Sequence, residues 1–260
     1  MMTLSQEDGE ALRMAKGLLE HPSLAAKITS VIGTPIAKGF DLLPVKWSEV
    51  VNYATRTAVE QALNVALLTV DSMGKRASSN MMHKLAIAAV GAAGGLFGLP
   101  ALAVELPVST TVILRSIADI ARSEGEALES PEGKLACLEV FAFGGPSKGD
   151  DAMTTGYFTI RASLAQAVSE AARHIGQKGV VQEGAPAIVR LIALVTSRFG
   201  VTVSEKLAAQ AIPMVGAVGG ALINSLFIDH FQDIARGHFT LRRLERTYDP
   251  ELIKQAYDRI

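Results

Sequence analysis

Asp229, His230, Asp233 and His238 come nearest to a metal-ligand set in this sequence. His230 and His238 stand eight residues apart, two helical turns, with Asp233 near the same face. Gly237 interrupts that geometry, and the spacing is not that of a structural or catalytic zinc motif. A solvated helix face is expected, and no metal is assigned. Cys137 is the lone cysteine, which excludes an intramolecular disulfide and suits a reducing compartment. With no base near it on an apolar stripe, it reads as packing rather than as a nucleophile. The glycines from 144 to 149 lack the Lys-Ser/Thr ending of a phosphate loop, and neither GxSxG nor HExxH occurs. No catalytic residue and no cofactor is assigned.

Glu105 and Arg115 carry more promise, because both border a long apolar segment. Ten residues apart, they would lie about 15 Å from each other along one straight helix. Pro107 between them lets the chain bend, so a buried pair, a cap and a ligand-binding role all stay open. Asn224 lies inside a second apolar segment, where an amide usually bonds a neighbouring helix. His83 is the remaining polar residue near these segments. Arg236, Arg242, Arg243 and Arg246 form the one basic cluster, interleaved with Phe239, Leu244 and Tyr248. Such a face suits either anionic lipid or a salt-bridged surface.

Helical spacing must position these groups, since strict alternation is nearly absent. Ser5 with Asp8 predicts the cap of a first helix that stops at His21-Pro22. Leu24 to Ile32 reads as a second, closed by Gly33. Trp47, Val50, Ala54, Ala58, Ala62 and Val65 mark a long amphipathic helix. Pro107 predicts the first turn of another, stopped by Gly125, and Ser130-Pro131-Glu132 opens one reaching Phe143. Met153 to Ile175 carries the cleanest stripe. A helix from Ile188 is expected to end at Gly200, Ser204 to cap the last long helix, and Asp249-Pro250 to start a short terminal one.

Two segments, Leu85 to Val104 and Leu207 to Ile228, contain no charged residue. Each holds the same glycine-spaced word, Val90 to Gly95 and Val215 to Gly220, with one Ala exchanged for Val. Gly91, Gly94, Gly95 and Gly98 share one helical face, as do Gly216, Gly219 and Gly220. A glycine inside a helix costs about 1 kcal/mol relative to Ala, so close helix contact is expected to offset these. Core helices of a bundle, a shallow membrane hairpin and a true span all remain open. Asp119-Ile120-Ala121-Arg122 and Asp233-Ile234-Ala235-Arg236 echo the repeat, so an internal duplication or a chance likeness is possible at this stage.

Composition narrows the partners. Lys plus Arg number 25 against 26 for Asp plus Glu, a net charge of −1, without the basic excess that nucleic-acid binding requires. The apolar share of 49% with only 5% aromatics gives small side chains suited to close helix packing. The first ten residues are acidic and lack an apolar run, so no secretory signal is read there.

Gly94 to Pro100 leading to Glu105-Leu106-Pro107, then Leu114 to Ala121 and Glu124-Gly125-Glu126, form one ordered block. Ile212 to Ala217, Asn224 and Phe239 to Leu244 form a second, and Ile32 to Pro35 with Leu43-Pro44 an opening. In this order they resemble the EcsC family, over about Ile32 to Tyr248. The family often has an aromatic-Gly pair where Glu124-Gly125 stand and an Asp at Glu105. The resemblance implies a bacterial cytoplasmic or membrane-associated protein named for a gene beside an ABC transporter; it implies no reaction and carries over no catalytic residue. The expected fold is one all-α domain over 1–260, with helices about 1–31 preceding a core about 32–248 and the two glycine helices central. The expected role is a non-enzymatic accessory protein at the inner membrane face, touching lipid or an integral membrane partner. An enzyme or lipid-binding module with an inter-helix cavity is the alternative.

Overall fold

Local signals set most of the helix ends. The computed structural model describes residues 4–20, 23–69, 99–145, 156–178, 185–212 and 216–260. Helix α1 (Gln6–Leu19) is capped by Ser5, whose Oγ accepts from the Asp8 amide at 3.1 Å. Helix α2 (Leu24–Ile32) ends on Gly33, whose φ of 68° is the left-handed cap that glycine adopts without strain. A four-residue helix, α3 (Ala37–Phe40), sits in the connection before α4 (Trp47–Thr69). Helix α5 (Leu99–Ser123) is followed by α6 (Pro131–Glu139), opened by Ser130 accepting from the Gly133 amide at 3.0 Å. A 3-10 turn (Val140–Phe143) follows. Helices α7 (Tyr157–Lys178), α8 (Pro186–Ala211), α9 (Gly216–Thr247) and α10 (Pro250–Arg259) complete the chain. Among the described residues the fold is all-α, without a strand.

Three boundaries differ from the sequence reading. Pro107 lies inside α5, which begins at Leu99. The missing amide removes one ladder bond to residue 103, while Leu102, Leu106, Ile113 and Leu114 stay buried on either side of it. Gly200 does not end a helix and Ser204 does not cap one; both lie within α8. Ser204 instead donates back to the Gly200 carbonyl at 2.6 Å, and the buried run Phe199, Val203, Leu207 carries the helix through. The charge-free segment Leu207 to Ile228 is not one helix: α8 stops at Ala211 and α9 starts at Gly216. Pro213, which has no amide to donate, stands between them.

Helix α9, at 32 residues the longest, spans about 48 Å and serves as the spine. Its first half packs on α5 and α8, its second half on α1 and α10. A phenylalanine knot fills the middle. Phe141, Phe199, Phe227 and Phe231 are fully buried, with ring centroids 4.9 to 6.1 Å apart. A smaller apolar cluster of Leu12, Leu241, Leu244, Ile253 and Tyr257 joins α1, α9 and α10. Among the described residues, α8 is the one helix long and apolar enough to cross a membrane, and a third of its apolar window is buried in the protein.

Close backbone approach occurs at Gly39 and Gly237. A Cβ on Gly39 would run into the Ala208 carbonyl of α8. One on Gly237 would stand 2.7 Å from Leu19 Cγ and 3.0 Å from the Ala15 carbonyl of α1. Gly237 therefore does not break α9; it lets α1 lie against it. Gly219 and Gly220 fall in the opening turns of α9, half-buried and buried. Gly216 is the first residue of that helix. The first stripe, Gly91, Gly94, Gly95 and Gly98, and His83 lie outside the described residues.

Candidate functional site

The carboxylate of Glu105 on α5 meets Lys206 of α8, not Arg115. Lys206 Nζ donates to Glu105 Oε1 at 2.6 Å, with side-chain exposures of 1% and 7%. The ammonium also sits 4.8 Å from the Phe227 ring centroid, a cation–π contact strengthened by the dry surroundings. Arg115 points the other way. Eleven residues from Val104 on α5, it is exposed and has no ion-pair partner among the described residues. Glu105 and Arg115 are thus a corrected pairing: the first is committed inside, the second faces out. Asn224 is fully buried one helical turn from Phe227, and both polar atoms of its amide lack a hydrogen-bond partner among the described residues. It does not make the inter-helix bond expected of it.

The four arginines near the carboxyl end are engaged. Arg242 grips Glu126 through Nε at 3.0 Å and Nη2 at 2.5 Å, and Arg246 reaches the same carboxylate at 2.6 Å. Burial works to raise the Glu126 pKa, but the two guanidinium groups outweigh it and hold it below the usual value. Arg243 bridges Glu124 at 2.9 Å and Asp8 at 3.1 Å. Arg236 pairs with Asp233 at 3.0 Å. Each of the four guanidinium groups is paired with a carboxylate.

The metal-like cluster disperses as well. His230 bonds the Gly144 carbonyl at 2.6 Å, His238 bonds the Tyr157 hydroxyl at 2.8 Å, and Asp233 takes Lys27 at 3.2 Å. No group of three metal ligands forms among the described residues. Cys137 is fully buried, and burial pushes its thiol pKa far up, so it is held protonated and unreactive.

Beside these dispersed residues lies a polar group that sequence reasoning missed. Glu139, at the end of α6, is 4% exposed. Burial raises its pKa to about 7 against the pull of Arg242 and Arg161. Arg161 is itself held by both oxygens of Glu245 at 2.7 Å. His238 is neutral, its pKa driven well down by burial and then by Arg242 and Arg161. Its Nδ1 is bonded to the Tyr157 hydroxyl at 2.8 Å, and Nε2 is buried with no hydrogen-bond partner among the described residues. The 3-10 turn lies against these groups through Phe143, whose ring stands 5.0 Å from that of His238.

A cavity of about 460 Å³ opens between α1, the 3-10 turn, α7 and α9. Leu18, Phe143, Tyr157, Ile160 and Ile234 form its walls, with His230 among them. Its described lining includes none of Glu105, Arg115 or Asn224.

A family model described as the EcsC protein family matches residues 10–244. The chain belongs to the EcsC protein family. No curated protein and no solved structure matches it. In this EcsC chain the matched region runs from α1 to the last turns of α9, so both the ion pair and the cavity fall within it. Lys206 escaped the sequence reading because one lysine in an amphipathic run looks like a solvated residue. Glu139 escaped because nothing local marks a carboxylate as buried. The cavity is tertiary throughout, assembled from four elements, and only the run of Gly144, Gly145 and Gly156 around a break in helical spacing hinted at it.

Proposed function

We propose that this EcsC chain is a non-enzymatic accessory protein that docks on an anionic membrane surface through the outward face of α5. One observation carries the reading. Val104 and Val108, one turn apart, are 71% and 42% exposed, and Arg115 continues the same face with no ion-pair partner among the described residues. Apolar residues below a cation two turns away suit the boundary between acyl chains and phosphate. Val104 is also the last residue of the charge-free sequence Leu85 to Val104. Among the described residues the polar candidates do not converge on one space, as a catalytic set would have to. Glu105 is consumed by Lys206, and Arg115 stands outside.

Flotation of the purified chain on vesicles tests this, with phosphatidylcholine alone and with phosphatidylserine added. Binding is expected on the anionic vesicles and should fall with salt, because exposed charges are screened over about 8 Å at physiological strength. Val104→Glu with Val108→Glu should reduce it at least about tenfold by placing charge in the interface. Arg115→Ala should weaken it about fivefold, matching ~1 kcal/mol per surface cation. No flotation on either vesicle, or unchanged flotation of the double variant, would remove the reading.

A further inference from the structure

We infer that the cavity between α1, the 3-10 turn, α7 and α9 binds an uncharged amphiphile, its apolar chain against Leu18, Phe143, Ile160 and Ile234 and its hydroxyl donating to His230. The site stands apart from the membrane face on α5 and does not depend on it. Its volume of about 460 Å³ falls within the range of pockets that enclose small ligands. The walls come from four packed elements, and two features fix them. His230 Nε2 is committed to the Gly144 carbonyl at 2.6 Å. The chain at Gly144 lies so close to α8 and α9 that a Cβ there would stand 2.7 Å from the Phe231 ring and 3.1 Å from Thr202 Oγ1. Only a residue without a side chain fits, so this part of the wall is bare backbone.

The polar groups decide the ligand's charge. No lysine or arginine is among the described lining residues, and the one charged residue there is Glu20. Among the described residues a carboxylate or phosphate would find no counter-ion and would stand beside a like charge, which is costly in an apolar site. His230 supplies no positive charge, since burial holds its pKa at about 4. Because Nε2 faces a carbonyl oxygen it must carry the ring's proton, which leaves Nδ1 as an acceptor. The Tyr157 hydroxyl is taken by His238 at 2.8 Å, so Tyr157 offers the cavity its ring alone. A hydroxyl donor on an apolar chain matches this set.

The test uses the full chain without vesicles and titrates decanol and decanoate by calorimetry and ligand-observed NMR. Decanol should bind at one saturable site, and decanoate at least about tenfold more weakly because its charge has no partner. Leu18→Trp, at a half-buried position on the cavity wall, should weaken decanol at least about tenfold while keeping the wild-type circular dichroism and melting temperature. Ile160→Trp provides a second filling from the opposite wall. Absence of saturable decanol binding overturns the inference, as does decanoate binding equally well. Undiminished decanol binding in whichever filled variant keeps the native fold overturns it too.

Discussion

Lys206 and Glu105 illustrate how much one buried contact can carry. Removing one partner leaves an uncompensated charge in the core, which costs roughly 3–5 kcal/mol, whereas replacing both by apolar residues of similar size is often neutral or stabilising. Lys206→Ala should therefore lower the unfolding free energy by about that amount, and Lys206→Met with Glu105→Leu should recover most of it; urea titration of the two variants reads the difference. If the single substitution were nearly silent, the pair would be reached by water and not buried. Glu139 makes a second prediction at this scale. Its folded pKa of about 7 lies above the ordinary value of 4.5, so the folded state holds a proton that the unfolded chain releases. The stability it contributes is full below about pH 4.5 and is lost as pH rises towards 7. Glu139→Gln should be close to wild type in stability at pH 4.5 and gain on it by roughly 1–3 kcal/mol at pH 8. His230 runs the other way: its pKa near 4 adds stability above pH 6.5 that is lost on acidification, and the glutamine variant keeps that limb. A gain independent of pH would mean that Glu139 is ionised in the fold.

At the scale of the helices, glycines sort into those that touch a neighbour and those that do not. Gly39 abuts the Ala208 carbonyl, and a methyl there has no flexible side chain to push aside. Gly39→Ala should destabilise by at least ~1–3 kcal/mol. Gly200, inside α8, has nothing within 4 Å of its missing Cβ, so Gly200→Ala should stabilise by about 0.5–1 kcal/mol through helix propensity. Thermal melts of the two variants moving in opposite directions check both. The same contrast explains what could be read from sequence. Ser5, Ser130 and Asp249 were legible because each caps a helix through its own neighbours. Ser204 was misread because a serine within a helix can bond the preceding turn just as well. Pro107 was misread because burial of Leu106 before it and Ile113 after it outweighs one lost hydrogen bond. The Asp119–Arg122 and Asp233–Arg236 words make the same ion pair at 3.0 Å, which helical spacing alone produces.

Across the whole molecule, ion pairs tie distant parts of the chain to the carboxyl end of α9. Arg243 reaches Asp8 in the first turn of α1 and Glu124 after α5, and Arg242 with Arg246 holds Glu126. Glu126 is only 6% exposed in side chain, so Arg242→Ala takes the two-pronged partner from a nearly buried carboxylate, leaves it Arg246 alone, and should lower the melting point by several degrees. Vesicle flotation of that variant should match wild type, because the charge removed belongs to the fold and not to the docking face. The reverse pattern, unchanged melting and weakened flotation, would restore the arginine cluster as the lipid contact. Sequence located these arginines and left their role open between lipid and salt bridges; the carboxylates that pair with Arg242, Arg243 and Arg246 come from Asp8, Glu124 and Glu126, far away in the chain.

The burial of Cys137 makes the chain its own clock. A thiol that is fully enclosed and kept protonated reacts with a disulfide reagent only after the helices around it part. Because it is the single cysteine, the rate of that one labelling event counts openings of the phenylalanine-centred interior directly. With closing faster than modification, the rate scales with the open population and returns the free energy of opening under native conditions. Any ligand that settles in the cavity beside the 3-10 turn, a few residues along from this thiol, would slow the clock by an amount set by its own occupancy.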